Sequence, residues 1–293
     1  MATVTVGIPV YNGAAHLAGT LDCILGQTYR DLEILVFDNA STDETPRIIA
    51  DYAARDPRVR HVRQPHNKGP VPNFGDVILA ADSPYFLWRA ADDRSDPNYI
   101  EVLLALLEAH PDKQLAVGRI VNTFEGKVVK TAEPLALKGD GGWSDQRRLM
   151  FDAHWSVLYG LWRRAEIARV MARIKDRYGE PASGWDFVAL LPVFLEASVV
   201  ETDATTFECV VRGVRLPKAE RKRQPRQEAD FDTMLQVRGR FLVLAQELGR
   251  DYFPAGPRRL FGMILIWAYA NQRVYKFKRI VRRTLRRWAG LKP

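Results

Sequence analysis

Short apolar runs alternate with amphipathic stretches of helical length over the first 110 residues. We interpret four of these runs as strands, at residues 3–10, 32–37, 59–62 and 85–88, of which the third is short. Helices are predicted after them, at about 12–27, from 41 or 42 onward, at 72–80 and at 97–110. Asn12 and either Ser41 or Thr42 are the candidate N-caps of the first two helices. The alternation predicts an α/β fold with a parallel sheet, right-handed crossovers and a ligand crevice at the carboxyl edge of the strands.

The pattern is less regular after residue 110. Strands are predicted at 116–123, 127–130, 157–162, 199–201 and 205–211, and helices at 163–175 and 185–197. Loops are predicted at 139–143, which is rich in glycine, and at 212–226, which is basic. Two helices close the chain, at 228–249 and from 257 onward. We therefore divide the chain into a ligand-binding half (1–110), a second half of the same domain (111–227) and a C-terminal helical extension (228–293).

The net charge of +8 is concentrated at the end of the chain. Residues 273–293 contain nine Lys or Arg and no acid, so the remaining 272 residues carry 34 basic and 35 acidic side chains. A nearly neutral body argues against nucleic acid as a partner. The two cysteines, Cys23 and Cys209, lack the spacing of a zinc site and suggest a reducing compartment. Because the N-terminus opens directly into a strand, we expect no signal peptide and a cytoplasmic location.

Two adjacent carboxylates, Asp92 and Asp93, follow the fourth predicted strand directly. Two like charges side by side repel each other unless a cation or hydrogen-bond donors offset the charge. The pair at a strand's carboxyl end therefore suggests a divalent metal with a phosphate behind it. The alternatives are a solvated loop, or an Asp that caps the helix beginning near Pro97.

Two more polar or aromatic side chains follow other strands of the same predicted sheet. Tyr11 follows the first strand and could stack on a base, and Asp38 follows the second and could accept N–H groups from a base edge. Taken singly, Tyr11 could be a packing aromatic and Asp38 a turn or cap residue. Together with Asp92 they supply a ring for the base, an acceptor for its N–H groups and a carboxylate for a metal, which is what the binding of a nucleotide diphosphate with a metal requires.

At this point the sequence resembles a known family. Residues 6–13 (VGIPVYNG), 27–29 (QTY), 37–43 (FDNASTD) and 67–69 (NKG) resemble the opening of family 2 glycosyltransferases. The resemblance is strong over 3–110 and weaker over 157–212. It implies a GT-A fold, with a Rossmann-like, mostly parallel sheet flanked by helices. It also implies an inverting transferase that uses a nucleotide-diphosphate sugar and Mg²⁺ or Mn²⁺.

The resemblance also implies roles for individual residues. Asp38 would recognise the base, and Tyr11 and the backbone around Pro9 would cradle it. Asp92 would be the last acid of the family's Asp-x-Asp metal motif. If Asp92 binds the metal, we expect Asp93 beside it to position the donor sugar or the loop backbone. The chain departs from the family where it has Ala90 in place of an acid. A single acidic ligand is still compatible with Mg²⁺, which keeps several waters and binds substrate phosphates.

Proton transfer requires a further group, and Asp186 is the candidate. It begins the apolar helical pattern at 185–197, where a carboxylate is held near the positive end of the helix dipole. An inverting transfer needs a base that takes the proton of the acceptor hydroxyl, and the family's catalytic acid lies at the matching position. The alternative is simple helix capping by Asp186. Lys68 and the basic loop 212–226 could assist the leaving diphosphate, although a solvated basic face is the other interpretation of that loop.

The basic tail suggests a location for the enzyme. Apolar residues recur at helical spacing in 273–293 with arginines on the other faces, a pattern typical of an interfacial helix on anionic lipid. A helix packed on its own domain is the alternative. We therefore predict a transferase at the inner face of the plasma membrane that uses a UDP- or dTDP-sugar and a glycan or lipid-linked acceptor. The rival hypotheses are a sugar-nucleotide-binding protein without turnover and a nucleotidyltransferase.

Overall fold

The computed structural model of the protein describes residues 2–211, 231–253, 255–274 and 281. The predicted basic loop 212–226 lies outside the described residues, as does the predicted tail except for Arg273, Val274 and Val281. Within the described part no helix is both long enough and apolar enough to cross a bilayer.

The predicted parallel sheet is confirmed in the first half of the chain. Its strands are β1 (Val4–Val10), β2 (Leu32–Asp38), β3 (Val59–Arg63) and β4 (Tyr85–Trp88), which lie side by side in the order β3-β2-β1-β4. The helices that follow them are α1 (Leu17–Leu25), α2 (Thr45–Arg55), α3 (Pro70–Leu79) and α4 (Tyr99–Ala109). In this register Val10 pairs with Asp38, so β1 and β2 end at the same edge. Both strands are buried over nearly their whole length, as continuous apolar runs in a covered parallel sheet should be.

The same sheet continues through the second half, where it becomes mixed. After the short β5 (Arg94–Ser95) come β6 (Leu115–Phe124), β7 (Lys127–Ala132), β8 (Leu161–Arg163) and β9 (Val199–Val210). The order across the sheet continues as β4-β8-β6-β9-β5, and β7 pairs with β6. β6 is antiparallel to β8 and parallel to β9. One sheet therefore joins the two halves that the sequence distinguished.

Three predictions for the second half were wrong. The strand expected at 157–162 is a 3₁₀ helix (Trp155–Tyr159) followed by the short β8, because the Gly160 backbone passes close to β6. The two strands expected around residue 203 are a single strand, β9, with a shift of register against β6. A helix, α5 (Trp143–Asp152), follows the glycine-rich loop and was not anticipated.

The predicted helix caps were also wrong. Asn12 does not cap α1, whose N-cap is His16, and neither Ser41 nor Thr42 caps α2. Instead the Asn12 N–H donates to Ser41 Oγ at 2.9 Å, and Asn12 Oδ1 accepts from the Thr42 N–H at 2.8 Å. These polar side chains therefore join the loops after β1 and β2, which fixes the carboxyl edge of the sheet.

Four helices complete the described structure. They are α6 (Arg164–Ile174), α7 (Trp185–Leu195), α8 (Phe231–Gly249) and α9 (Pro257–Arg273). α7 is almost entirely buried, and the Tyr269 hydroxyl of α9 donates to the Phe187 carbonyl at 2.9 Å. The C-terminal helices are therefore packed on the helix that carries Asp186.

Candidate active site

Two open clefts lie at the carboxyl edge of the parallel strands. The first, of about 640 Å³, follows β1, β2 and β3, and Pro9, Tyr11 and Lys68 line it. The second, of about 650 Å³, lies between α1 and the β6–β7 turn and includes Asp92. We call them the β1–β3 cleft and the Asp92 cleft. Four of the residues predicted to bind a nucleotide therefore line one cleft or the other.

Asp38 lies behind the β1–β3 cleft and is fully buried. Its Oδ1 accepts the Ser41 N–H at 2.8 Å, and its Oδ2 lies 3.2 Å from Arg63 Nη1. Among the described residues no group donates a well-formed hydrogen bond to Oδ2. The side chain of His61 lies 3.9 Å from the same oxygen, and burial lowers the pKa of this histidine despite the nearby carboxylate. Because Asp38 has no exposed surface and does not line the cleft, contact between Oδ2 and an N–H of a base stays a prediction.

The loop at 67–69 is held in place by Asn39. The Asn39 amide donates to Asn67 Oδ1 at 2.8 Å and to the Gly69 carbonyl at 3.1 Å, and its Oδ1 accepts the Lys68 N–H at 2.9 Å. Gly69 has a φ of 85°, which favours glycine. The side chain of Asn39 thereby gives the wall of the β1–β3 cleft a fixed shape.

Replacing Asn39 with alanine should therefore destabilise the protein. We expect a loss of about 1–3 kcal/mol in the free energy of unfolding, since the three hydrogen bonds of a buried side chain disappear. Urea denaturation measures this loss. Asn98→Ala, which removes one bond from Thr205 Oγ1 (2.9 Å), is the matched control and should cost less. Equal losses in the two variants would contradict the role of Asn39.

The ammonium group of Lys68 is already engaged in an ion pair. Its Nζ lies 2.8 Å from Asp76 Oδ2, and Lys175 Nζ lies 3.1 Å from Asp76 Oδ1. Burial acts to raise the pKa of Asp76, but hydrogen bonds from the two lysines outweigh it and hold this pKa below its usual value. Lys68 lines the cleft, but its ammonium group is paired with Asp76. Contact with a phosphate would therefore require the Lys68 side chain to turn away from Asp76.

The two members of the acidic pair lie in different environments. Asp92 is partly exposed in its cleft, whereas Asp93 is buried and its Oδ1 accepts the Val210 N–H of β9 at 3.0 Å. Burial, with a smaller contribution from the Asp92 charge, raises the pKa of Asp93 to about 7. Asp93 thus joins the acidic turn to β9, and its contact with a donor sugar stays a prediction.

The residues around Asp92 are compatible with a divalent cation that also binds a substrate. Among the described residues there is no group of three or more His, Cys, Asp or Glu side chains that could hold a metal ion. Asp92 itself offers a hard carboxylate oxygen in an open cleft of sufficient size for a diphosphate. Such a donor set fits Mg²⁺ or Mn²⁺, which are commonly bound by one or two carboxylates together with waters and phosphates.

Asp186 occupies the first turn of α7, as predicted. The turn begins at Gly184, whose φ of 90° is in the left-handed region and whose Cα faces the side chains of Tyr178 and Phe241. Burial raises the pKa of Asp186 to about 6, while hydrogen bonds from backbone N–H groups of the turn partly oppose this. A carboxylate with such a pKa is mostly ionised at neutral pH and can accept a proton readily.

Tyr159 is the last residue of the 3₁₀ helix that precedes β8. Its ring is stacked on Phe207 with centroids 5.2 Å apart, and it is nearly buried. Burial first, and then the charges of Asp93, Asp186 and Asp92 among others, raise the pKa of the Tyr159 hydroxyl well above its usual value. All three carboxylates therefore lie within electrostatic range of this one side chain.

A ring contact connects α7 with the β1–β3 cleft. The ring of Trp185 meets the ring of Phe74, a lining residue of that cleft, edge to face with centroids 5.0 Å apart. Four residues near the site have no role predicted from the sequence: Phe74, Tyr159, Asn39 and Glu180. Asn39 and Glu180 line the β1–β3 cleft, as Phe74 does. Asn39 lies inside a quoted motif and could have been found, whereas the others depend on tertiary contacts.

Comparisons with known proteins agree with this geometry. Residues 5–156 match the family described as glycosyl transferase family 2. A putative glycosyltransferase from Bacillus subtilis, EpsE, is 33% identical over 133 residues, which cover 45% of this chain and 48% of EpsE. The first curated relatives are matched over 16% to 48% of their own length.

Solved structures with a similar fold include two transferase-related proteins. Residues 1–349 of TarS from S. aureus, solved in complex with UDP-GlcNAc, superpose with a TM-score of 0.59 at 13% identity, covering 95% of this chain and 82% of that one. The mannosyltransferase PcManGT from Pyrobaculum calidifontis, solved with GDP-Man and Mn²⁺, gives a TM-score of 0.54 at 17% identity over 92% and 70% of the chains. These similarities establish the GT-A fold.

Proposed function

Because residues 5–156, just over half of this chain, match the family, the chain belongs to glycosyl transferase family 2, and we propose that it transfers a sugar to an acceptor hydroxyl. The donor would be a nucleotide-diphosphate sugar, with UDP- or dTDP-sugars favoured, and the configuration at the anomeric carbon would invert. The observation that carries this proposal is the pair of open clefts at the carboxyl edge of the parallel strands, which Pro9, Tyr11, Lys68 and Asp92 line.

The β1–β3 cleft is the proposed site of the nucleoside. Tyr11 is half exposed at its rim and offers a ring for stacking, and the Pro9 backbone forms part of its wall. Asp38, behind the cleft, has the Oδ2 oxygen that could accept an imino N–H of a uracil or thymine base. The solved complexes of TarS with UDP-GlcNAc and of PcManGT with GDP-Man support a nucleotide sugar as the class of donor.

Asp186 is the proposed base. Its carboxylate would take the proton from the acceptor hydroxyl as the acceptor oxygen forms a bond to the anomeric carbon. The bond between that carbon and the diphosphate oxygen would break on the opposite face, and the electron pair would leave with the nucleoside diphosphate. Attack from the face opposite the leaving group produces inversion.

Asp92 is the proposed ligand of a divalent cation, and the complex of PcManGT with Mn²⁺ supports this assignment. A cation held there together with the donor phosphates would offset the charge on the leaving diphosphate. Lys68 would add a further positive charge if it left Asp76. Asp93 would orient the sugar or the loop on which Asp92 lies.

The acceptor is proposed to be a glycan or a lipid-linked glycan of a cell-surface polysaccharide. The basic residues of 273–293 support a place at an anionic membrane surface, at the cytoplasmic face. Arg273, however, is turned into the protein, where its Nε donates to the Met150 carbonyl at 2.7 Å. Arg273 is therefore not among the basic residues proposed to meet lipid headgroups.

A panel of sugar nucleotides tests the proposed function. The protein would be incubated with Mn²⁺, a membrane-glycan extract and each donor in turn, and the nucleoside diphosphate that is released would be measured. Release from one donor class, dependent on both extract and protein, is the expected result. Binding without release would favour the non-catalytic rival, and release of pyrophosphate from a sugar phosphate and a nucleoside triphosphate would favour a nucleotidyltransferase.

The pH dependence of transfer should carry the signature of Asp186. Because its pKa is raised to about 6, the carboxylate is protonated below that pH and cannot accept the acceptor's proton. We expect the rate to be level at higher pH and to fall by roughly tenfold per pH unit on the acid side. Asp93→Asn should retain this acid limb, although it removes another carboxyl group whose pKa is raised. A rate that is flat through this range would contradict the assignment.

A further inference from the structure

The outer face of α9 is apolar although it faces solvent. Five residues on this face have between 43% and 64% of their surface exposed, namely Leu260, Phe261, Met263, Ile264 and Trp267. The inner face of the same helix carries Leu265, Ile266, Tyr269 and Ala270, which are buried against the domain. A surface helix normally carries polar residues on its outer side. Packing against the domain accounts for the inner apolar face of α9 but not for the outer one.

The apolar surface extends beyond α9. Trp143, the first residue of α5, is half exposed, and its ring lies 5.9 Å from the ring of Phe261. The exposed side chains at positions 260, 264 and 267 recur at the spacing of one helix face. Together with Trp143 they form a continuous patch, which we call the α9 patch. Exposed apolar patches of this kind mark sites of protein or membrane interaction.

Positive charge borders the α9 patch. Arg250 and Arg259 line a small groove between the end of α8 and the start of α9, and Met263 of the patch lies in the same groove. The sequence that follows α9 adds eight more Lys or Arg between 274 and 293 and no acid. The surroundings of the patch therefore complement an anionic surface, and two such surfaces on a pair of identical chains would repel each other.

We propose that the α9 patch is a docking surface for an anionic lipid bilayer. Phe261, Ile264 and Trp267 would enter the interface between headgroups and acyl chains, with α9 lying in the plane of the membrane. Arg250 and Arg259 would meet lipid phosphates. Large aliphatic and aromatic residues on one face, bordered by basic residues, are the composition of interfacial helices.

Docking through this patch would place the candidate active site near the lipid surface. The last residue of α9, Arg273, has its guanidinium 4.8 Å from the ring of Phe187, the residue after Asp186. Trp267 and Arg273 are six residues apart on one helix, which corresponds to about 9 Å along its axis. Trp267 of the docking surface therefore lies about 9 Å along α9 from Arg273, the residue that contacts the first turn of α7. The proposal concerns binding alone and does not rest on the transfer reaction.

Vesicle sedimentation of the full chain tests the proposal. The double variant Phe261→Ser with Ile264→Ser would be compared with the wild type on phosphatidylglycerol-rich vesicles and on pure phosphatidylcholine vesicles. We expect the wild type to prefer the anionic vesicles and the variant to show a partition coefficient at least about tenfold lower. Leu79→Ser, which removes an exposed apolar side chain at the end of α3, is the matched control and should bind as the wild type does.

The other occupants of the patch give distinct results. A protein truncated after residue 274 should still bind vesicles, more weakly, through the patch. Unchanged binding by the full-length double variant would overturn the proposal and assign binding to the tail. Two further results would also overturn the proposal. If the wild type dimerises without binding vesicles, and the double variant is monomeric by sedimentation velocity, the patch is an interface between copies of the chain.

If the wild type does not bind vesicles and truncation exposes the patch to a fluorescent apolar probe, the patch is covered by the chain's own tail. Near-equal melting temperatures would establish that the variants are folded.

Discussion

Asp186→Asn is expected to lower the rate of sugar transfer by about 10²–10⁴-fold, the usual contribution of a general base. Asparagine has nearly the same shape as aspartate but cannot take up the proton of an acceptor hydroxyl. The change should leave donor binding within about threefold of the wild type, because Asp186 lies on α7 and not in the β1–β3 cleft. Initial rates with saturating donor, together with calorimetric titration of the nucleoside diphosphate, separate the two effects.

Asp176→Asn is the matched control for this prediction. The Asp176 side chain is mostly exposed and pairs only with its neighbour Lys175 among the contacts described, at 2.9 Å. Its replacement should leave the rate unchanged. The desolvated Asp186 carboxylate has a raised pKa, so its removal should not destabilise the fold at neutral pH. A rate within a few-fold of the wild type in Asp186→Asn would assign proton transfer to another group.

Asp92→Asn is the second change with a large expected effect. If Asp92 binds the cation that offsets the leaving-group charge, replacing Asp92 should remove several kcal/mol of transition-state stabilisation. The rate of transfer should then fall about a thousandfold. The affinity for the nucleoside diphosphate in the presence of Mn²⁺ should fall as well, and the affinity without metal should not. Calorimetric titrations with and without Mn²⁺ measure this difference directly.

Asp82→Asn provides the control, since Asp82 is exposed in the loop that precedes β4, at the opposite end of that strand from Asp92. The wild type and Asp82→Asn should both lose activity when a chelator removes the metal, and both should regain it with Mn²⁺ or Mg²⁺. A wild type whose rate is unaffected by chelation would show that the chain's own cations, such as Lys68, stabilise the leaving group. The substitution at Ala90 relative to the family would then have removed metal dependence.

The first half of the fold could be predicted from the sequence largely because β1, β2 and β4 are almost completely buried. Such strands are continuous apolar runs, and the helices between them have a different period. The 3₁₀ helix at Trp155–Tyr159 could not be predicted, because an aromatic and aliphatic run of that length is compatible with a strand or a helix. Its conformation follows from the approach of Gly160 to β6, which is a tertiary contact.

The part of the candidate site that lies at the ends of the strands could be predicted from the sequence. The positions of Tyr11, Asp38 and Asp92 follow from the order of a parallel sheet, and the sequence indicates each strand end. The different environments of Asp92 and Asp93 could not be read from two adjacent aspartates, because they depend on the N–H of Val210 in β9. Asn12 was misread as a cap for the same reason, since its partners Ser41 and Thr42 lie about 30 residues away in the neighbouring loop.

A crystal structure with an unhydrolysed nucleotide-diphosphate sugar and Mg²⁺ would test the central claim most directly. We expect the base to lie in the β1–β3 cleft against Tyr11, with an imino N–H directed at Asp38 Oδ2. The diphosphate should lie beside Asp92, and the face of the anomeric carbon opposite the leaving oxygen should be open toward Asp186. A base bound elsewhere, or an anomeric carbon whose open face is turned away from Asp186, would contradict it.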